Sequence, residues 1–200
     1  ASFTRTVSER ELVTALFEMI TIRQLDRDTP SPTSVVHDLS QTQEQALADI
    51  MAHDRNRFIL IEFKRELARF ALELTKKGDV RGPQIAKIRA TAEMTTLSIK
   101  CHFGGWGVQG HKTPIEFAPY LDTWAAFESR ARTVPAVPID EFIEGFLPNI
   151  ESEARFGVPF PEFREYVRLL EDNAPKSGSN SATAPLLLVV RTPNNLPEFI

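Results

Sequence analysis

Ala48-Asp49-Ile50-Met51-Ala52-His53-Asp54-Arg55-Asn56-Arg57-Phe58-Ile59-Leu60-Ile61-Glu62-Phe63-Lys64-Arg65 is the stretch on which the fold turns. Two short apolar runs, Ile50 to Ala52 and Phe58 to Phe63, flank the polar segment His53 to Arg57. That is the pattern of a β-hairpin whose second strand is buried. A hairpin symmetric about Arg55-Asn56 sets Asp49 opposite Glu62, because register fixes every cross-strand pair at once. Side chains alternate along a strand, so Lys64 falls on the same face as Glu62. Two carboxylates and one cation thus converge.

Upstream, Thr6 and Ser8 precede an amphipathic stretch in which Leu12, Leu16, Met19 and Ile20 recur at helical spacing. Residues 7 to 23 read as a first helix. Residues 26 to 34 form a turn-rich loop, and Asp38 to Gln45 has no period, so this connection stays unassigned. Downstream, Leu67, Phe70, Ala71 and Leu74 share one face of a helix from Glu66 to Lys77 that ends at Gly78. Gly82-Pro83 begins a third helical pattern through Ile85, Ile88 and Ala92. Leu97 to Phe103 alternates like a strand and leads into a Gly104-Gly105-Trp106-Gly107 turn. Helix, two strands, helices, strand: the order predicts an α/β fold around a mixed sheet.

Beyond it, residues 114 to 172 hold helical pieces at Tyr120 to Arg130, Asp140 to Phe146 and Pro161 to Leu170, with no chemistry of their own. Residues 173–184 read as a polar linker and Pro185 to Arg191 as a last strand, followed by a Pro-rich tail that could pair with the sheet or with a partner. The division expected is a core over 1–112, a mainly helical C-terminal elaboration over 113–172, the linker over 173–184, and a terminal strand and tail over 185–200.

Composition bounds the function. With 200 residues of which 42% are apolar, the chain can bury one sizeable core. Its apolar runs are far shorter than the roughly 20 residues that span a bilayer, so no membrane contact is expected and a cytoplasmic location is the default. The single cysteine, Cys101, excludes an internal disulfide and a cysteine-type zinc site, and is expected to be a small buried residue. The net charge of -4 argues against a uniformly basic nucleic-acid binder. The charge is unevenly spread, however: residues 55 to 100 carry 11 Lys/Arg against 5 Asp/Glu, while the flanking segments are acidic. Such a block is either a solvated helix face or a backbone-binding surface.

An acidic residue two before a lysine is expected about once by chance in this composition, so Glu62-Phe63-Lys64 gains meaning only from its hairpin. Read separately, Asp49 and Glu62 are ordinary strand-end carboxylates and Lys64-Arg65 the start of a solvated helix. Read together, they suit phosphodiester cleavage. Two carboxylates bind a hard divalent cation through oxygen, and a lysine orients or deprotonates water and offsets charge on phosphorus.

At these residues the sequence resembles the PD-(D/E)xK nuclease superfamily, of the restriction-endonuclease-like fold. The text from Ala48 to Arg65 looks most like archaeal Holliday-junction resolvases and similar small nucleases. Ser8-Glu9-Arg10-Glu11-Leu12-Val13 is similar to the helix whose leading glutamate completes the family's metal site. The resemblance implies Asp49 and Glu62 as metal ligands for Mg2+ or Mn2+, Lys64 and Glu9 as catalytic residues, and Gln84 and Arg65 as substrate-binding residues. Glu9 has a competing role, since Thr6 with Glu9, or Ser8 with Glu11, spells a helix capping box. The resemblance covers roughly residues 7 to 103. Ala48 replaces a frequent proline, Thr21 to Ala48 is longer than a small resolvase needs, and residues 104–200 have no counterpart. A Mg2+-dependent endodeoxyribonuclease acting on DNA is the expectation. Its rivals are an inactive nuclease-fold interaction module, with a protein partner on the C-terminal half, and an RNA-cleaving enzyme. A homodimer is left open. His102 and His111 are expected to be structural or exposed.

Overall fold

A computed structural model describes residues 8–26, 35–38, 48–54, 56–71, 78–108, 115–129, 133–148, 153–173, 189–191 and 197–199. Helix α1 spans Glu9–Leu25, two residues later at each end than its periodicity suggested. Its start is the Ser8/Glu11 capping box: the Glu11 amide donates to Ser8 Oγ at 3.2 Å and the Ser8 amide to Glu11 Oε2 at 2.8 Å. Leu12, Leu16 and Ile20, four residues apart, are its buried face.

The hairpin forms in the expected register. Strand β2 (Ile50–Asp54) pairs antiparallel with β3 (Arg57–Lys64), Ile50 against Ile61 and Ala52 against Ile59. The ladder runs to Asp54 against Arg57, so His53, Asp54 and Arg57 belong to strands; Asn56 is a turn residue, and position 55 lies outside the described residues. A further strand, β1 (Val35–Asp38), lies in the connection left unassigned from sequence and pairs antiparallel with β2.

After β3 the helix expected over Glu66 to Lys77 begins as a 3-10 turn, Leu67–Arg69, and is helical at Phe70 and Ala71; positions 72–77 lie outside the described residues. Helix α2 (Gly78–Arg89) starts before the expected Gly82-Pro83 and carries Pro83 inside. Thr91 accepts the Met94 amide and caps α3 (Ala92–Cys101). The strand-like alternation of Leu97 to Phe103 is therefore a correction. Leu97, Ser98 and Cys101 line the buried face of α3, and only then does β4 (His102–Gly107) begin, parallel to β3.

The expected Gly104 to Gly107 turn is also overturned: these residues are inside β4. The glycines are there because rings occupy the space a side chain would fill. A Cβ on Gly104 would lie 2.8 Å from the Phe70 ring, and one on Gly105 would lie 2.8 Å from Phe63 and 2.9 Å from Phe117. Gly105→Ala is expected to destabilise the protein by about 1–3 kcal/mol through overpacking. Thermal unfolding checks it, and an unchanged midpoint would count against this account of the strand.

The remaining elements are β5 (Ile115–Pro119), α4 (Tyr120–Glu128), β6 (Val137–Pro138), α5 (Ile139–Phe146), β7 (Val158–Pro159) and α6 (Phe160–Asp172). The strand order is β1-β2-β3-β4-β5-β6, with β7 pairing the start of β3 at Arg57 and Phe58. All neighbours are antiparallel except β3 and β4, so the sheet is mixed, as expected. Helices cover both faces. Ile59, Ile61 and Phe63 of β3 pack with α1 and α5 through Leu12, Leu16, Ile139 and Phe142. Phe58 and Leu60 pack on the opposite face with α2, α3, α4 and α6 through Ile85, Leu97, Trp124 and Phe163. The helical pieces expected after residue 114 are present, and β5, β6 and β7 join them to the sheet. Beyond α6, β8 (Val189–Arg191) pairs antiparallel with β9 (Pro197–Phe199), so the tail pairs with the terminal strand rather than with the main sheet; positions 174–188 lie outside the described residues. Among the described residues no helix is long and apolar enough to cross a membrane.

Candidate metal and phosphate site

The register that pairs Ile50 with Ile61 brings Asp49, one residue ahead of β2, beside the end of β3. Its Oδ2 accepts the Phe63 amide at 2.6 Å. Glu62 and Lys64 continue the face of Phe58 and Leu60, and Lys64 Nζ donates to Glu62 Oε1 at 2.6 Å and to the Phe63 carbonyl at 3.0 Å. Glu9 arrives from the other side of the sheet. Because Glu11 closes the capping box, the Glu9 carboxylate is not needed for the helix start, and its Oε1 accepts the Arg65 amide at 3.2 Å. Three carboxylates and one ammonium therefore gather on four consecutive residues, 62 to 65.

Glu62 is fully buried. A carboxylate in that position needs a countercharge. Besides Lys64 it has a second: Arg81 Nη2 of α2 lies 3.4 Å from Glu62 Oε2, with both side chains 1% exposed. Arg81 Nη1 donates to Gln84 Oε1 at 3.3 Å, and Gln84 Nε2 donates to the Leu170 carbonyl of α6 at 2.7 Å. Gln84, expected near substrate, is thus a buried link between the site and α6. Arg65 meets the site through its backbone, and its Nε is buried with no hydrogen-bond partner among the described residues.

Next to this group lies a second buried polar cluster. His102, paired with Leu60 in the sheet, places Nδ1 2.9 Å from Tyr166 Oη, which in turn lies 3.0 Å from Ser98 Oγ. The imidazole stacks on Tyr120 with centroids 4.4 Å apart and planes 9° off parallel. Burial, and then the nearby Arg81 charge, lower its pKa to about 3 against an opposing effect of Glu62, so the ring is neutral. Burial likewise raises the Tyr166 hydroxyl and the Cys101 thiol well above their usual ranges. Cys101 is the inert buried residue expected, and His102 is a core histidine.

The donor set fits a hard divalent cation in its chemistry: carboxylate oxygens from α1, from the start of β2 and from β3, next to a lysine. In the present arrangement ammonium and guanidinium groups neutralise Glu62. Among the described residues no three histidine, cysteine, aspartate or glutamate side chains stand together in metal-binding geometry. Of the residues picked out from sequence, Glu62 and Lys64 bond each other, while Asp49 and Glu9 reach the same segment through the Phe63 and Arg65 amides. Arg81 was missed. Its one signal was its position three residues before Gln84, on the same helical face.

No protein-family model, no curated protein and no solved structure matches the chain.

Proposed function

We propose that the chain is a metal-dependent nuclease of the PD-(D/E)xK type that cleaves DNA phosphodiester bonds. One observation carries the reading: Glu9, Asp49, Glu62 and Lys64, drawn from three elements, all bond within residues 62 to 65. The mixed sheet flanked by helices is the architecture in which such a motif would be displayed.

Asp49 and Glu62 would hold Mg2+ or Mn2+, with Glu9 assisting, and the ion would supply stabilisation of negative charge on the phosphate. Lys64 is the working group of the chain itself. Its side chain is 11% exposed, and its flexible stem would let the ammonium turn from Glu62 Oε1 to a water or phosphate oxygen. There it orients the attacking water and holds a proton beside the developing oxyanion.

A specific observation favours one alternative, an inactive nuclease-fold protein acting as an interaction module in a DNA-processing or defence assembly. Both oxygens of Glu62 already carry a cation. Cleavage assays separate the two. The purified protein is expected to cut plasmid DNA with Mg2+ or Mn2+ and not with EDTA, and Asp49→Ala to abolish the cutting. No cutting by the wild type with either ion, or undiminished cutting by Asp49→Ala, sinks the nuclease reading. Parallel RNA substrates decide between DNA and RNA.

A further inference from the structure

The two cations on Glu62 are not equivalent. Lys64 ends its strand, and its side chain is 11% exposed; Arg81 projects from α2 and is 1% exposed. An ammonium on a flexible stem can leave, whereas a guanidinium keeps its charge and directs its donors in a fixed plane. That plane is braced. Arg81 Nη1 is tied to Gln84 Oε1, and Gln84 Nε2 is tied to the Leu170 carbonyl. From Glu62 Oε2 a chain of hydrogen bonds thus runs through α2 into α6, more than a hundred positions along the sequence.

We propose that Arg81 is a positioning residue of the candidate metal site: it fixes Glu62 through Oε2, and so presents Oε1, the oxygen that Lys64 covers, to a divalent cation. The inference rests on the reading of Asp49 and Glu62 as metal ligands. Partners that orient a ligating carboxylate commonly set metal affinity as strongly as a ligand does. The role follows from the geometry here. Arg81 holds the buried carboxylate at Oε2, which leaves Oε1 on the side of Lys64 Nζ, 2.6 Å away. The same chain links α6 to the site through the Leu170 carbonyl.

Calcium binding by calorimetry tests this without relying on catalysis. Arg81→Lys retains the charge but loses the fork; Gln84→Met retains Arg81 but loses its brace. Each is expected to weaken Ca2+ binding by about 10- to 100-fold for Arg81→Lys, and by less for Gln84→Met, with unfolding still cooperative. Arg89→Ala, on the exposed face of the same helix, should leave binding unchanged. If the wild type binds Ca2+ and both variants bind it within about twofold of wild type, the positioning role is wrong while the metal site stands. If Arg81→Lys does not fold, Gln84→Met alone decides. A wild type that binds neither Ca2+ nor Mn2+ overturns the metal-site reading and this inference with it.

Discussion

Replacing Arg81 by methionine is expected to lower the unfolding free energy by about 3–5 kcal/mol, the range for breaking a buried ion pair from one side. The size follows from what remains. Glu62 is fully buried, and Lys64 would be its one remaining cation among the contacts described above. Attraction within the pair does not set the cost; the stranded, desolvated charge does. The Arg81→Met/Glu62→Leu double variant should therefore be less destabilised than the sum of the two single changes, because neither Arg81 nor Glu62 is left facing the other's absence. Urea denaturation of the four proteins gives the coupling directly. Strict additivity would mean that Arg81 and Glu62 do not depend on each other.

Lys64→Met is the counterpart in function. It removes the group that would serve the water and is expected to lower DNA cleavage by about 10²- to 10⁴-fold. The fold should survive, since Glu62 keeps Arg81 and the lysine stem is replaced by one of similar length. Single-turnover cleavage under saturating Mg2+ or Mn2+ is the measurement. Loss of rate with unchanged DNA affinity fits the assigned role. Equal loss of both would make Lys64 a phosphate anchor, and an unchanged rate would remove it from the chemistry. Arg81→Met and Lys64→Met separate the two cations on one carboxylate: the first is expected to act on stability, the second on rate.

Much of this candidate site was legible in the sequence. The hairpin register follows from two apolar runs placed symmetrically about Arg55-Asn56, and it brings Asp49 to the end of β3, where its carboxylate accepts the Phe63 amide. The capping ambiguity at Glu9 was real at the level of sequence, because Thr6-x-x-Glu9 and Ser8-x-x-Glu11 both spell the motif. The backbone chose Ser8 and left Glu9 to reach Arg65. The glycine-rich segment misled for a physical reason. Glycine reads as a turn when only its own freedom is considered, whereas Gly104 and Gly105 answer to the rings of Phe70, Phe63 and Phe117, which arrive from β3, from the segment after it and from β5. The alternation of Leu97 to Phe103 misled similarly, because a short run with few apolar positions satisfies both periods.

By itself the sequence determined the local features: a capping box at the start of α1, the buried face of that helix, the hairpin and its register, and the common face of Glu62 and Lys64. These depend on periodicity and on bonds between near neighbours, which a chain carries wherever it folds. Tertiary structure alone decided that β4 runs parallel beside β3, that the residues after 114 add strands to the same sheet, and that Arg81 lies against Glu62 and through Gln84 against Leu170. Those outcomes depend on which surfaces exclude water together. A carboxylate's need for a second cation arises only once it is buried, so the spacing of Arg81 and Gln84 on one helical face could not by itself point to Glu62.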